Sequence, residues 1–511
     1  MRSICIPHTE LPGTSALFAD YLYRFDRVAR FYAHNPHDPD AMKRAAIAAG
    51  IPDDRRQKVV TALRKINGET ASLAQLELPD TVAIVTGQQV GLFSGPAYTV
   101  YKALTAAKLA KQLTDSGIRA VPVFWLATED HDFQEIQHAW MFDPRQRATR
   151  LEATGAGLPG QPVGSIPITS APVDQLRETL NGFLYADEVL ELVDDAYKPG
   201  RTFGEAFRHL LQRLLAGHGL IFLDPLEPAL REVAAPMLHA AMERREELTR
   251  ALIARGKELE SAGYHAQVLV DNETSLFFKL EGGRRLKLAP GETPSDSSSL
   301  SPNALLRPVM QDYLLPTAAY IGGPAELAYL AQSQVLYQTL LGRMPVAVPR
   351  SGFTLLDERG HSLMDRFHIT LTDCFHGSDA LKERIAARLI PESLGSTFED
   401  VTSEIRNSLD RLEGELRNFD PTLGAALSKS RAKMLYQLEK NRRKTSREAM
   451  RRNLQVTEGA AHLSGLVFPE RHLQERLFSL LPFLARHGFD LIDTLSENVH
   501  RGCPDHLLLT V

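Results

Sequence analysis

Four consecutive residues with ionisable side chains are the first candidates for catalysis: Glu129, Asp130, His131 and Asp132. They directly follow the apolar segment 121–128, which has the composition of a buried strand. Three carboxylates around one imidazole can orient the imidazole as a general base, bind an amine or hold Mg²⁺. The alternative is a solvated loop in which Asp132 caps the following helix. We predict that all four are catalytic, and we assign no metal ligand because no second histidine lies at zinc-ligand spacing.

A glycine-rich segment, 86–96, follows another apolar segment and precedes a long helical stretch. It matches neither the GxGxxG fingerprint nor the GxxxxGKS/T loop. Its glycines still let the backbone approach a ligand, and Pro96 suits a helix start whose free N–H groups attract a phosphate or a carboxylate. The alternative is a tight strand-to-helix turn without a ligand. We predict that this region binds substrate through the following residues: Thr86, Gly87, Gln88, Gln89, Gly91, Gly95, Tyr98 and Lys102.

A second copy of this helix start occurs at 322–331, which aligns without gaps to 94–103. Both copies contain Gly-Pro-Ala, follow an apolar segment and open a helix. Two helix starts at strand ends can face one crevice, which is where open α/β sheets bind ligands. The alternative is that Gly-Pro helix openings recur by chance. We predict that Gly322, Gly323 and Glu326 bind substrate, with the Glu326 carboxylate recognising an ammonium group.

Three further polar residues are candidates for substrate binding. Ser301 and Pro302 predict the N-terminus of a helix, after which Asn303 and Arg307 lie four residues apart and share a face. Arg307 can pair with a carboxylate or a phosphate through two parallel hydrogen bonds. Arg350 directly follows a predicted strand and is a similar candidate. For both arginines, a solvated position on the surface is the alternative.

These candidates need a framework of strands and helices. Apolar, β-branched segments predict strands at 81–86, 121–128, 219–224, 265–270 and 345–349. Helical stretches separate the strands, and such strand–helix–strand units form parallel sheets with right-handed crossovers. We predict an α/β fold with a Rossmann-like parallel-sheet core, with residues 1–78 as its N-terminal helical part and 79–375 as the core itself. Two short strands around a Gly-Gly pair predict an inserted β-hairpin near 271–290.

Residues 376–455 depart from the α/β pattern. Six apolar residues with a 4-3-4-3-4 spacing predict a coiled-coil seam: Ile405, Leu409, Leu412, Leu416, Phe419 and Leu423. Asp420 and Pro421 offer a turn, so we predict an antiparallel α-helical coiled-coil hairpin, with a small helical subdomain as the alternative. Residues 456–511 are expected to return to the core.

Charge and cysteine content narrow the class of protein. The second arm of the predicted hairpin, 429–452, carries ten basic and two acidic residues. Such a helix can bind an acidic partner or nucleic acid, and the alternative is a solvated helix face. The whole chain of 511 residues has a net charge of -5, which gives no general reason to expect nucleic-acid binding. Cys5, Cys374 and Cys503 show no metal-ligand or disulfide-framework spacing. With neither a signal peptide nor a membrane span in the sequence, we expect a cytoplasmic protein.

Four stretches together resemble one known family. They are TGQQVGLFSGPAYTVYKALTAAKLA, PVFWLATEDHDFQEI, SPNALLRPVMQDYLLPT and YIGGPAELAYLAQ, in that order along the chain. This series is similar to the BshC family, the cysteine ligases of bacillithiol biosynthesis. The resemblance covers about residues 80 to 350 and continues more weakly to the C-terminus.

The resemblance implies a fold and an activity. Members of the family have a Rossmann-type core with inserted connecting segments and an antiparallel coiled coil that supports homodimerisation. Their assigned reaction is the last step of bacillithiol biosynthesis, in which cysteine is joined to glucosaminyl malate through an amide bond at the sugar amine. ATP or ADP is the cofactor that this activity suggests. The core is similar to that of class I aminoacyl-tRNA synthetases, but neither HIGH nor KMSKS occurs in this chain.

Under this resemblance, the candidate residues take specific roles. The glycine-rich segment would bind the malate carboxylates or a phosphate, and His131 would be the base that deprotonates the sugar amine. Glu326 or Asn303 would contact cysteine or the sugar. A rival hypothesis is a non-catalytic nucleotide-binding scaffold whose basic coiled coil binds a partner or nucleic acid. A third is a sugar-nucleotide transferase that uses the same helix starts.

Overall fold

The computed structural model describes residues 2–288, 291–294, 296–452, 454–499 and 504–511. The chain forms two compact units. The first comprises Arg2–Thr354 and Glu475–Leu509, and the second is built mainly from Leu355–Gln474. The boundary predicted between core and coiled coil lies further along the chain, between 375 and 376.

The bounds of the strands and helices are as follows. The strands are β1 (Ser3–Ile6), β2 (Val82–Gln88), β3 (Ala120–Leu126), β4 (His138–Phe142), β5 (Ala148–Glu152), β6 (Thr154–Gly155), β7 (Ile168–Ser170), β8 (Ile221–Leu223), β9 (Phe277–Glu281), β10 (Arg284–Lys287), β11 (Leu300–Pro302), β12 (Thr317–Gly322), β13 (Val346–Pro349), β14 (Gly352–Leu356) and β15 (His506–Thr510). The α-helices are α1 (Ala16–Tyr23), α2 (Ala41–Ala48), α3 (Asp53–Asn67), α4 (Ala71–Glu77), α5 (Tyr98–Asp115), α6 (Phe133–Ile136), α7 (Val173–Leu180), α8 (Ala186–Ala196), α9 (Phe203–Leu214), α10 (Pro228–Glu243), α11 (Arg245–Ser261), α12 (Arg307–Leu314), α13 (Pro324–Leu340), α14 (Glu358–Phe367), α15 (Leu371–Cys374), α16 (Ser378–Arg388), α17 (Glu392–Phe419), α18 (Pro421–Arg451), α19 (Leu454–Val467), α20 (Gln474–Leu477), α21 (Leu481–His487) and α22 (Asp490–Asn498).

A parallel five-stranded sheet forms the centre of the first unit, in the order β13-β12-β2-β3-β8. Alternate residues of β2 point to opposite faces, so that Val85 joins one hydrophobic cluster and Ile84 another. Both faces are therefore covered, as is usual for a parallel sheet. The predicted Rossmann-like core is confirmed.

The strand order creates one switch point. From β2 the chain builds the sheet to one side through β3 and β8, and then returns to the other side of β2 with β12 and β13. Open α/β sheets bind ligands at the carboxyl ends of the strands where the order reverses. The crevice between β2 and β12 is therefore the expected ligand site.

Four of the five predicted strands are present as β2, β3, β8 and β13. The prediction of a strand at 265–270 is wrong. There the side-chain amide of Gln332 takes the place of a neighbouring strand: it accepts from Val268 N at 2.9 Å and donates to Val268 O at 2.7 Å. Side chains in this segment therefore alternate between buried and exposed positions without belonging to a sheet, and Leu269 is exposed. Strand β12, which the sequence did not reveal, lies in the middle of the sheet.

The inserted β-hairpin is confirmed. Strands β9 and β10 pair antiparallel around Gly282 and Gly283, and β11 pairs with the other side of β9. The prediction of a helix beginning at Ser301 is wrong, because Ser301 pairs with Phe278 within this sheet. Asn303 begins a turn instead, and its side-chain oxygen accepts hydrogen bonds from Leu305 N at 3.0 Å and from Leu306 N at 3.1 Å. Helix α12 starts only at Arg307.

The second unit contains the long helical hairpin that the sequence predicts. Helices α17 and α18 are joined at Asp420, whose carboxylate accepts from Thr422 N at 2.6 Å and caps α18. Arg431 of α18 reaches back to Asp410 and Glu413 of α17. These contacts confirm an antiparallel pair of helices.

The end of the chain adds to the first unit. Strand β15 pairs antiparallel with β1, with Ile6 opposite His506. Cys374 is buried and free, whereas Cys5 is disulfide-bonded, which the cysteine spacing did not predict. Cys503 lies outside the described residues. Within the residues that the structure describes, none of the helices has the length and apolar character needed to cross a membrane.

Candidate active site

A cavity of about 550 Å³ lies at the carboxyl ends of β2, β3 and β12. Its walls carry five basic and three acidic side chains, so a ligand with negative charge is favoured. Twelve of the predicted site residues line it: Gly87, Gln88, Gln89, Tyr98, Lys102, Glu129, Asp130, Asn303, Arg307, Gly323, Glu326 and Arg350. The structure thus brings both helix starts and the acidic segment to one place.

Four predicted residues near the strand ends have packing roles instead. Thr86 donates to Ile321 O at 2.9 Å and links β2 to β12. A Cβ atom on Gly322 would lie 2.8 Å from Leu327, and one on Gly91 would lie 3.1 Å from the Cα of Gly95. These glycines therefore allow close packing at the turns, while Gly95 has a φ of 65° that suits glycine.

The start of α5 does not offer the free N–H groups expected of it. Ala97 N donates to Phe478 O at 2.7 Å, and Gly95 N donates to Leu92 O at 2.9 Å. The turn before the helix is held by Ser479, which donates to Phe93 O at 2.9 Å. These two backbone amides are therefore not free to bind an anion.

His131 and Asp132 lie beside the cavity and do not line it. The side chain of His131 is 40% exposed, and its Nδ1 lies 3.4 Å from the Arg285 guanidinium. Asp132 caps α6 by accepting from Gln134 N at 3.0 Å and from Glu135 N at 3.3 Å. Its carboxylate is thus occupied with helix capping.

A buried ion pair connects the two repeated helix starts. Lys102 of α5 pairs with Glu326 of α13, and its ammonium also donates to Gln88 Oε1 at 2.8 Å and to Gly87 O at 3.1 Å. Burial lowers the pKa of Lys102, although Glu326 opposes this shift. Burial would raise the pKa of Glu326, but the Lys102 ammonium and the hydrogen bonds from Gly323 N and Tyr320 together hold that pKa below its ordinary value. The two charges cancel, so Glu326 binds a protein ammonium where we expected a substrate ammonium.

Arg350 is also neutralised within the protein. Its guanidinium binds both carboxylate oxygens of Glu475, at 2.9 and 2.5 Å, and both side chains are buried. Glu475 further accepts from Phe353 N at 3.1 Å. The pair leaves Arg350 with little net charge for a ligand, so Arg350 shapes the cavity wall more than it attracts an anion.

Arg307 keeps its charge. Among the described residues its hydrogen-bond partners are neutral: Gln311 Oε1 at 3.1 Å and the hydroxyls of Tyr320 and Tyr329, both at 3.3 Å. Burial raises the pKa of both tyrosines, so they stay protonated at neutral pH. Arg307 is therefore a fixed cation with no carboxylate hydrogen-bonded to it among the described residues, although the nearby Glu326 also acts on its charge. It is suited to a carboxylate or a phosphate.

The acidic segment contributes two carboxylates to the cavity. Glu129 is buried and pairs with Arg231 of α10. Burial raises the pKa of Glu129, and Arg231 counteracts this effect. Asp130 is more open, and its Oδ2 accepts from Gln89 Nε2 at 2.6 Å. These carboxylates suit an amine, and in the described part of the chain no group of three or more metal-ligating side chains is present.

Sequence reasoning missed the partners that hold the site together. Glu475 and Arg231 come from elements distant in sequence from Arg350 and Glu129, and no local pattern marks them. Arg285 of the inserted hairpin also lines the cavity. The signal available for it was the basic composition of β10, in which three of the four residues are Arg or Lys.

A buried histidine next to the Arg350–Glu475 pair makes folding depend on pH. His506 Nε2 lies 2.8 Å from Thr354 Oγ1, and a Cβ atom on Gly352 would meet both His506 and Glu475. Burial lowers the pKa of His506 from 6.5 to about 4, although Glu475 opposes the shift. The unfolded chain therefore takes up this proton near its ordinary pKa, while the folded chain resists it.

We expect stability from His506 to be fully present above pH 6.5 and to be lost as the pH falls toward 4. Over that range the wild type should lose about 3 kcal/mol more unfolding free energy than a His506→Gln variant. Urea unfolding at several pH values measures the difference. His265→Gln, at an exposed position, is the matched control and should follow the wild type. Parallel curves for wild type and His506→Gln would contradict the prediction.

Comparison with known proteins identifies the family. The model "Bacillithiol biosynthesis BshC, N-terminal Rossmann-like domain" matches residues 1–296 and 291–351, and "Bacillithiol biosynthesis BshC, C-terminal coiled-coil domain" matches residues 353–511. A Solibacter usitatus protein named "Putative cysteine ligase BshC" is 50% identical over 100% of both chains. A protein of the same name from Koribacter versatilis is 36% identical over 99% of both chains. Another from Salinibacter ruber is 31% identical over 99% of this chain and 98% of its own. The Rossmann-like core, the coiled-coil hairpin and these matches together show that the chain belongs to the BshC family of bacillithiol biosynthesis.

Proposed function

We propose that this chain is a cytoplasmic cysteine ligase that joins cysteine to glucosaminyl malate, with an amide bond at the sugar amine, as the last step of bacillithiol biosynthesis. The observation that carries the proposal is the cavity at the switch point, which presents the Arg307 guanidinium together with the carboxylate of Asp130. Malate supplies carboxylates and glucosamine supplies an ammonium, so the conjugate matches both kinds of charge. The relatives named as cysteine ligases support the same activity.

Amide formation requires that the sugar ammonium lose a proton before its nitrogen attacks the cysteine carboxyl carbon. A general base must lie within hydrogen-bond reach of that nitrogen. Asp130 lines the cavity, whereas His131 lies outside its lining with an exposed ring. We therefore propose Asp130 as the base and place His131 at the rim, where it contacts Arg285.

Two variants separate these roles. Asp130→Asn removes the basic carboxylate and should lower kcat by roughly 10²–10⁴-fold. Its one side-chain oxygen can accept either from Gln89 or from the N–H groups of His131 and Asp132. His131→Ala should lower kcat by less than about tenfold, because its ring lines no part of the cavity. Steady-state rates of product formation give both values. A larger loss for His131→Ala than for Asp130→Asn would reverse the assignment.

ATP is the expected source of energy. A free carboxylate is a poor acyl donor, and ATP would supply the leaving group on the cysteine carboxyl carbon. The guanidinium of Arg476 lines the cavity and has no carboxylate hydrogen-bonded to it among the described residues, so it fits phosphate oxygens. The chain carries no phosphate-binding loop motif.

Function in cells can be tested by complementation. The gene for this chain should restore bacillithiol to a bacterial strain whose own gene of this family has been deleted and which has lost the thiol. An Arg307→Gln gene, expressed to the same protein level, should not. If the wild-type gene fails to restore bacillithiol while the protein accumulates in folded form, the proposal is wrong.

We propose further that the helical hairpin forms a homodimer. Helix α17 has seven acidic and three basic residues, and α18 has nine basic and two acidic residues, so the two arms complement each other between copies. Apolar side chains remain exposed on both arms, including Leu412 at 47% and Met434 at 46%. An antiparallel arrangement of two hairpins would cover this apolar surface.

Charged substitutions test the dimer. Leu412→Glu combined with Met434→Glu should convert the protein to a monomer, because two buried charges without partners oppose association. Sedimentation velocity at micromolar concentration reports the mass. Asn407→Glu adds a charge at another exposed position of α17 and should remain dimeric. A dimer that survives the double substitution would exclude this surface.

A further inference from the structure

The cavity has a second charged region next to the inserted hairpin. Arg285 of β10 donates from Nη2 to Pro302 O at 2.8 Å and from Nε to Ser301 Oγ at 3.0 Å. Its guanidinium stacks over the ring of Phe278, 4.0 Å from the centroid. These partners are neutral and fix the direction of the guanidinium, so its positive charge is available to an anion in the cavity.

A carboxylate with an open hydrogen-bonding position lies in the same region. The Glu129 side chain is only 6% exposed and lines the cavity. Its Oε1 binds Arg231, while Oε2 has no hydrogen-bond partner among the described residues. The carboxylate oxygen of a lining residue that has no protein partner is suited to a cationic donor from a ligand. Glu129 and the neighbouring Asp130 both lie near enough to Arg285 to counteract the lowering of its pKa by burial.

The wall between these charges is apolar. Trp125, Pro225, Val268 and Phe278 contribute to it. The side-chain amide of Gln332 holds Val268 in place by hydrogen-bonding both its N–H and its C=O group. A small, weakly polar side chain would pack here, whereas a long charged one would lose its hydration without a partner.

We propose that this end of the cavity is a subsite for a zwitterionic α-amino acid. Arg285 receives the α-carboxylate, Glu129 receives the α-ammonium, and the side chain packs against Val268 and Pro225. The inserted hairpin thus completes the site by supplying the carboxylate-binding residue. That the amino acid is cysteine rests on the proposed function. Arg307 is then left for the anionic co-substrate.

Analogues of cysteine that lack one charge test each contact. Calorimetric titration of the full-length protein gives dissociation constants for cysteine, cysteamine, which has no carboxylate, and 3-mercaptopropionate, which has no ammonium. For the wild type, each analogue should bind at least about tenfold more weakly than cysteine, because one charge-assisted hydrogen-bonded contact is lost. Arg285→Gln should weaken cysteine binding by a similar factor and abolish the preference for cysteine over cysteamine.

The matched variant is Arg307→Gln, which should leave cysteine affinity within about twofold and weaken glucosaminyl malate instead. Arg285→Gln is the primary variant because the hydrogen-bond partners of Arg285 are neutral. A substitution of Glu129 would also remove the counter-charge of Arg231. Circular dichroism confirms that each variant is folded. Unchanged cysteine binding by folded Arg285→Gln would overturn the subsite and leave the ligase activity standing. Serine or alanine binding as tightly as cysteine, with dependence on Arg285, would support the subsite and contradict cysteine as the substrate.

Discussion

Replacing Arg307 by glutamine should lower kcat/KM for glucosaminyl malate by about 10²–10³-fold. Arg307 lines the β12 side of the site, and its described hydrogen-bond partners are all neutral. Its positive charge is therefore available to bind the ligand. Two charge-assisted hydrogen bonds to a carboxylate contribute about 3–4 kcal/mol together, which corresponds to this factor. Arg307→Lys keeps the charge but loses the planar fork, and should fall between wild type and glutamine variant.

Steady-state kinetics with saturating cysteine measures this effect. Arg119→Gln changes a half-exposed arginine of the same unit, which pairs with Asp80 at the surface, and should behave as wild type. The partners of Arg307 are neutral, so its replacement leaves no charged group without a counter-charge and the fold should persist. Wild-type kcat/KM in the Arg307→Gln variant would show that another residue binds the anionic substrate.

Replacing Lys102 by methionine should lower the unfolding free energy of the first unit by about 3–5 kcal/mol. The substitution keeps the side-chain volume but leaves the Glu326 carboxylate buried without its cation. The Lys102 side chain is only 4% exposed, so solvent gives little compensation. The double variant Lys102→Met, Glu326→Gln should recover a large part of the loss, because no charge then remains unpaired.

Urea unfolding followed by tryptophan fluorescence reports on the correct unit. Both tryptophans of the chain, Trp125 and Trp140, belong to it. Lys111→Met alters an exposed lysine on the same helix and should change the unfolding free energy by less than about 0.5 kcal/mol. Equal stability of Lys102→Met and Lys111→Met would mean that the ion pair does not stabilise the switch point.

The strands of the core could be predicted because a parallel strand is buried on both faces and reads as a continuous apolar run. Strand β3 has this character throughout, and β2 has it over 82–85. The segment 265–270 has a similar composition, but its backbone hydrogen bonds go to the Gln332 side chain. A side-chain partner from another helix leaves no mark on the local sequence, so this error was unavoidable.

The candidate site could likewise be predicted only in part from the sequence. Local patterns found Lys102 and Glu326, because both follow a Gly-Pro helix start at a strand end, and the sheet order brings these ends together. The patterns could not show that the two residues neutralise each other. Glu475, 125 residues after Arg350, likewise could not be found, since only the folded chain makes them neighbours.

The most direct test of the proposed function is a reaction in vitro. Purified full-length protein is incubated with cysteine, glucosaminyl malate and ATP, and the products are identified by mass spectrometry. We predict a product whose mass is the sum of the two substrates less one water, formed with ATP consumption and absent when any substrate is omitted. Folded protein that binds both substrates but forms no such product under any nucleotide condition would contradict the assignment as a ligase.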